Sequence, residues 1–198
     1  MQFISLIGCH LSPTRAVYGT TAGELYGSPS MPKKTPTLFV TFGLPGAGKT
    51  YAARLFEEFG FTVHDGDDDL PDAMREAIST QQPINDDMRD EFFSRIIAHV
   101  EQLLPKHPKL VVAQTFIKEK YRRRFLEHFP FAQFVLVEAN DPIRELRLER
   151  RTNQPLEPDY TRKMIAMFET PHIPYQVITN DADGALQLED QIAELVKE

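Results

Sequence analysis

Cysteine is nearly absent from this chain: Cys9 is the only one in 198 residues. No intrachain disulfide framework can form, and a reducing compartment, the cytoplasm, is expected. Long apolar runs are missing too. Nothing approaches the roughly 18 residues that a membrane span needs, so no membrane partner is expected. A basic excess is also lacking, because 22 Lys and Arg face 29 Asp and Glu for a formal net charge of −7. General affinity for nucleic acid or anionic lipid is therefore not expected. The first residues carry neither the basic start and long apolar centre of a secretory signal nor the several arginines of a transit peptide. What is present is ordinary for a soluble globular chain, with 41% hydrophobic and 26% charged residues in a length that allows one domain with a sizeable core.

Residues 1–36 are rich in Gly, Ser, Thr and Pro, with one short apolar run, Phe3–Ile7. A disordered extension is expected there, with Met31 a candidate alternative start and the domain over residues 37–198. From Pro36 onward, short apolar runs alternate with helical patterns, the signature of an α/β fold with a parallel sheet. The strand candidates are Leu38–Phe42, Phe61–His64, Leu110–Ala113, Phe134–Glu138 and Tyr175–Ile178. Helices are expected over Leu70–Ser79, from Asn85 or Asp86 to Leu104, over Lys118–Phe129, and from a cap at Asp141 with Pro142 behind it to Arg151. A last helix follows Asp183-Gly184, with Leu186, Ile192, Leu195 and Val196 facing inward.

The sharpest pattern is Gly43-Leu-Pro-Gly46-Ala47-Gly48-Lys49-Thr50, which follows the first strand and opens an amphipathic helix. This is G-x-x-x-x-G-K-T in the context a phosphate-binding loop requires. Glycines let successive N–H groups curl inward toward phosphate oxygens, and the helix start adds its positive end. Lys49 then reaches the β- and γ-phosphates, and the Thr50 hydroxyl can ligate Mg²⁺. ATP and Mg²⁺ are the expected cofactors, with Gly43, Gly46, Ala47, Gly48, Lys49, Thr50 and Tyr51 as the nucleotide-binding residues. The fold expected is a P-loop NTPase three-layer α/β/α sandwich, with a five-stranded parallel sheet and a small lid.

In open parallel sheets, ligands sit beyond the carboxyl ends of the strands. After the second strand stands His64-Asp65-Gly66-Asp67-Asp68-Asp69. Asp65 is the candidate for supporting the metal or acting as base, and Asp67 for orienting an acceptor hydroxyl. Asp68 or Asp69 reads as a helix cap, and His64 as a strand-end residue. Arg89 sits in a helix's first turn against the macrodipole, so it either pairs with Asp86 or Asp90 or faces an anionic ligand. After the third strand, Lys118 and Arg122 are four apart and share a helix face; they point at substrate or form a solvated basic face. Arg147 and Arg151 at the end of the fourth helix either complement its dipole or belong to a lid that clamps the transferring phosphoryl group.

Taken in order, these segments resemble the gluconate kinase (gluconokinase) family of small P-loop kinases, which is related to the shikimate kinases. The matching stretches are Gly43–Thr50, Asp65-Gly66-Asp67, Leu70-Pro71, Asn85-Asp86-Asp87-Met88-Arg89, Thr115-Phe116-Ile117-Lys118 with Tyr121-Arg122, Arg147 and Arg151, and Phe168-Glu169-Thr170-Pro171. The resemblance covers about residues 37 to 198. It implies transfer of a phosphoryl group from ATP to a hydroxyl of a small metabolite, with a sugar acid or similar polyol acid as the family's acceptor. The chain departs from the family pattern at three places. No His follows Leu70-Pro71, Asn153-Gln154-Pro155 replaces Gly-His-Phe, and Met164-Ile165 stands in place of Gln-Phe. Those changes remove polar groups suited to a polyhydroxy acid, which is how a pocket changes substrate.

Two other readings are set against the kinase. A nucleotide-dependent switch would need a guanine reader of the Asn-Lys-x-Asp type, which is absent, and its Asp-x-x-Gly appears only at Asp181–Gly184. A nucleotide or nucleic-acid end kinase would want a strongly basic groove rather than the acidic turn at Asp65–Asp69. A dimer face would look like any core helix face, so oligomeric state stays open, a homodimer included.

Overall fold

The computed structural model describes residues 36–150, 158–181 and 185–197, the last two stretches without the side chains of 158–160 and 185–186. The extension expected over residues 1–36 lies outside them apart from Pro36. Five strands form one parallel sheet: β1 (Thr37–Phe42), β2 (Thr62–Asp65), β3 (Lys109–Ala113), β4 (Ala132–Glu138) and β5 (Gln176–Thr179), in the order β2-β3-β1-β4-β5. Every neighbouring pair is parallel; Val40 of β1 sits in register with Val112 of β3 on one side and Phe134 of β4 on the other. The strand ends shift by a residue or so from the expected ones. The shift matters once: β2 runs through Asp65, so that carboxylate is the strand's last residue.

Alternation along β1 builds both halves of the core, because successive side chains point to opposite faces of the sheet. Leu38, Val40 and Phe42 join Ile96, Val100, Phe125 and Phe134 in one buried cluster, which brings in α3 (Asp86–Leu103) and α4 (Glu119–His128). Phe39 points the other way into a second cluster with Ala52, Ala53, Phe56, Leu188 and Ile192, which brings in α1 (Lys49–Leu55) and α7 (Ala185–Leu195). These are the layers of the P-loop kinase sandwich. In α7 it is Leu188 and Ile192 that are buried, with Leu195 and Val196 packed partly behind them; the Leu186 side chain is outside the described set.

The remaining helices are α2 (Asp72–Ser79), α5 (Asp141–Glu149) and α6 (Pro158–Ala166). The helix expected from Leu70 starts two residues later, because Gly66–Asp69 forms a 3-10 turn first. Asn140, not Asp141, caps α5: its side chain accepts from the Ile143 N–H at 3.1 Å, which leaves Asp141 and Pro142 in the first turn. α6 was not expected; Pro158 at its first position was the available signal. The switch point of the sheet lies between β1 and β3, whose following helices α1 and α4 pack on opposite faces, and it opens the crevice in which the site lies. Among the described residues no helix is long and apolar enough to cross a membrane.

Candidate active site

The phosphate-binding loop leaves β1 at the centre of the sheet. Gly43, Gly46 and Gly48 have φ of +144°, +81° and +92°. At Gly48 this is a requirement, because a Cβ there would also stand 2.3 Å from the Asn180 side-chain nitrogen. Asn180, just past β5, braces the loop from behind: its Nδ2 donates to the Ala47 carbonyl at 2.8 Å and its own N–H to the Glu138 carbonyl at 2.7 Å. The Lys49 ammonium turns back on the loop and donates to the Leu44 carbonyl at 3.1 Å. Tyr51 is exposed on the first turn of α1.

The acidic turn lies directly across from Thr50. The Thr50 hydroxyl donates to Asp65 Oδ2 at 3.2 Å, and Asp65 Oδ1 accepts the Asp67 N–H at 3.1 Å. Asp65 therefore caps its own 3-10 turn while facing the loop. Asp67 accepts from Gln114 Nε2 at 3.0 Å, and Gln114, buried just past β3, uses its oxygen to take the Thr115 N–H at 2.6 Å. Gly66 makes this possible: a Cβ would sit 2.9 Å from that Gln114 nitrogen. Arg75 on α2 finishes the turn, donating to the carbonyls of Leu70, Asp67 and Asp68 at 3.1 to 3.2 Å.

Neither Asp68 nor Asp69 caps α2, whose cap position is Pro71. Asp69 instead lies between two imidazoles, 2.6 Å from His64 Nε2 and 2.8 Å from His99 Nδ1. Burial works to raise its pKa, but the hydrogen bonds from His64 and His99 and their charges outweigh it and hold the carboxyl below its ordinary value of 3.8. His64 is thus a buried tie between β2 and the acidic turn, and His99 extends the tie to α3.

A cavity of about 490 Å³ opens from Lys49, Thr50 and Asp65 and runs between α2, α3 and the segment after β3. Asp67, Arg89, Gln114 and Lys118 line it, as does Met164 of α6. Arg89 pairs with neither Asp86 nor Asp90: Lys120 takes them at 3.5 and 3.4 Å, while Arg89 reaches the Ile84 carbonyl at 3.4 Å and Met167 Sδ at 4.0 Å. Lys118 is paired with Glu169 at 3.1 Å. The Glu119 N–H and Lys118 hold the Glu169 carboxyl below the usual range.

Lys118 and Arg122 do not share a helix face, because Lys118 is the extended cap residue of α4 and lies outside its helical turns. Arg122 is fully buried and points into the core. Its guanidinium donates to the carbonyls of Phe116, Ile117 and Glu169 at 2.9, 3.2 and 2.8 Å and to Glu119 at 2.9 Å. It clamps the strand-to-helix segment, where Phe116 has a φ of +47°; this corrects the expectation that Arg122 meets substrate. Arg147 lies beside the phosphate loop, donating to the Asn180 carbonyl at 2.9 Å and its side-chain oxygen at 3.3 Å. Arg151 and the lid loop fall outside the described residues.

Gln114 and Asn180 are the site residues that sequence reasoning passed over. Both directly follow a strand, so the rule that picked out Asp65 would have found them.

A family model described as an AAA domain matches residues 38–186. The chain is 29% identical to a probable gluconokinase of Schizosaccharomyces pombe over 168 residues, which is 80% of this chain and 87% of that one. Among solved structures it superposes on a sugar kinase from Janibacter sp. HTCC2649 with a TM-score of 0.71 at 16% identity, covering 82% of this chain and 95% of that one. A gluconokinase from Sinorhizobium meliloti 1021 gives 0.65 at 22% identity with the same coverages.

Proposed function

Because the chain belongs to the AAA domain family, we propose that it is an ATP-dependent kinase that phosphorylates a hydroxyl of a small metabolite, in the manner of its gluconokinase relatives. One observation carries this reading. Lys49 and Thr50 of the phosphate loop line the cavity, with Asp65 of β2 across from Thr50, so a bound triphosphate would present its terminal group to whatever fills the cavity. A nucleotide switch has no need of such a shared wall.

The nucleotide would lie along Gly43–Thr50, with Lys49 released from the Leu44 carbonyl onto the β- and γ-phosphates. Arg147, beside Gly48, would contribute positive charge on that flank, with Arg151 from the lid. Mg²⁺ fits the donor set. Thr50 Oγ1 and Asp65 Oδ2 are hard oxygens 3.2 Å apart, and octahedral bonds of 2.0–2.1 Å space adjacent donors about 3 Å apart. When bound, the ion neutralises charge on the phosphate oxygens. Both Asp65 oxygens already accept hydrogen bonds, Oδ2 from Thr50 of the loop and Oδ1 from the Asp67 N–H, so Asp67 is assigned to the acceptor. It orients the hydroxyl, whose oxygen forms the new bond to the γ-phosphorus as the bond to the bridging oxygen breaks and ADP departs. The hydroxyl proton passes to the Asp67 carboxylate. Arg89 and Lys118 would meet an anionic part of the acceptor. A cytoplasmic setting, expected from the single cysteine, fits this chemistry.

The test is acceptor-stimulated ADP release in Mg·ATP across sugar acids, other hydroxy acids, nucleosides and nucleotides. Lys49→Ala should keep the fold and lower phosphotransfer by at least about 100-fold, the scale for removing one preorganised charge-stabilising donor. Wild-type turnover in that variant would overturn the assignment.

A further inference from the structure

His64, Asp69 and His99 converge from three elements: β2, the 3-10 turn over Gly66–Asp69, and α3. None of the three lines the cavity. Side chains alternate along a strand, so His64 turns toward α3 and its His99 ring while Asp65 faces Thr50. His64 Nε2 stands 2.6 Å from Asp69 Oδ2, and His99 Nδ1 stands 2.8 Å from Asp69 Oδ1. The two rings meet edge-on with centroids 4.5 Å apart. One donor atom from each residue thus lies within 4.8 Å of the other two. We propose that these three side chains form a binding site for a zinc-class divalent cation, separate from the Mg²⁺ that would accompany ATP.

The donor set selects the ion. Two imidazole nitrogens and a carboxylate suit zinc and its transition-metal neighbours, whereas Mg²⁺ and Ca²⁺ favour oxygen alone. Tetrahedral zinc, with bonds of about 2.0–2.2 Å, spaces its donors about 3.3 Å apart. The present gaps of 2.6 and 2.8 Å therefore widen by roughly half an ångström as the ion replaces the bridging protons. Exposure is graded across the site: the His64 and Asp69 side chains are 5% and 9% exposed, and that of His99 is 42%. The ion enters past His99, and solvent takes the fourth position on that side. Arg75 braces the turn through the carbonyls of Leu70, Asp67 and Asp68, so Asp69 is presented from a fixed backbone. A hydrogen-bonded tie between two elements needs one imidazole; the second completes a triangle of donors. A bound ion staples β2, the acidic turn and α3 together and stabilises the folded chain by mass action.

The experiment titrates Zn²⁺ into the full chain without nucleotide, with Mg²⁺ in excess to fill all-oxygen sites. Calorimetry should show a site of one ion per chain with a Kd of about 1 μM or tighter, and the urea midpoint should climb with free Zn²⁺. Co²⁺ in place of Zn²⁺ should give the strong visible absorption of a four-coordinate ion. His99→Ala, at a half-buried helix position, should weaken this site by more than the about 10–100-fold that loss of a supporting hydrogen bond costs. Asp69→Asn should do the same. His128→Ala, at an exposed imidazole on α4, should bind Zn²⁺ as the unaltered chain does. Absence of one-to-one binding in the unaltered chain, or equal affinity in His99→Ala, would overturn the proposal. So would a stability loss in His99→Ala that is the same with and without Zn²⁺, which is what a plain hydrogen-bonded tie gives. No readout here passes through phosphotransfer, so failure of this site leaves the kinase reading untouched.

Discussion

Replacing Arg122 with Met separates a clamp from a substrate ligand. Methionine keeps much of the buried apolar volume, and removes the donors to three main-chain carbonyls, those of Phe116, Ile117 and Glu169, and to the Glu119 carboxylate. Burial tends to raise the Glu119 pKa, but hydrogen bonds from Arg122, the His172 backbone and Arg123 hold it below its ordinary value. It keeps Arg123 at 3.2 Å in the variant, so its charge is not wholly abandoned. The guanidinium also leaves the rings of Phe42 and Phe168, at 5.4 and 4.9 Å. Stranding a buried charge partner costs about 3–5 kcal/mol, and each deprived carbonyl adds to that. Because Glu119 keeps Arg123, the lower end of that range applies to it, and with the three carbonyls a loss of at least about 4 kcal/mol is expected, against the 5–15 kcal/mol typical of whole domains.

Urea unfolding followed by far-ultraviolet circular dichroism reads that loss directly, with an unchanged slope confirming that native stability moved. Activity should fall as well, because the clamp fixes Phe116 at φ +47° and, beyond it, Lys118. Arg122→Lys should recover only part of the stability, since one ammonium cannot reproduce a forked guanidinium. A stability loss below about 1 kcal/mol together with a raised acceptor KM would refute the clamp and return Arg122 to the substrate.

Three further outcomes follow from the site. Asp65→Asn should raise the Mg²⁺ concentration needed for half-maximal rate, on the order of 10-fold, in a metal titration at fixed ATP; an unchanged requirement would remove Asp65 from the metal. Gln114→Leu should raise acceptor KM more than it alters ATP binding, at a stability cost of about 1 kcal/mol, because Asp67 loses its donor; an unchanged acceptor KM would count against Asp67. For Asp69 the folded carboxyl titrates below the ordinary 3.8. Its stabilisation is thus fully present above that value and lost as pH falls through the lowered one. Asp69→Asn should cost about 2 kcal/mol at neutral pH and flatten the acid limb of the stability profile; a parallel profile would contradict the linkage.

The phosphate loop, the α/β class and most element positions were local matters, and so were legible in the sequence. A glycine-spaced turn, an apolar strand and a helix period each follow from residues close in the chain. That Asp65 and Asp67 stand at the carboxyl end of β2, where they line the cavity, was legible for the same reason. What the sequence could not decide was where long side chains go. Arg122 carries the same charge in the core as it would in the cavity, and only the carbonyls of Phe116, Ile117 and Glu169 converging from 6, 5 and 47 residues away show which. Asp69 read as a helix cap because its two imidazoles, 5 and 30 residues away in sequence, meet it only once β2 and α3 have packed. Main-chain geometry is set by neighbours along the chain, whereas the partners of a buried charge are set by the fold that desolvates it.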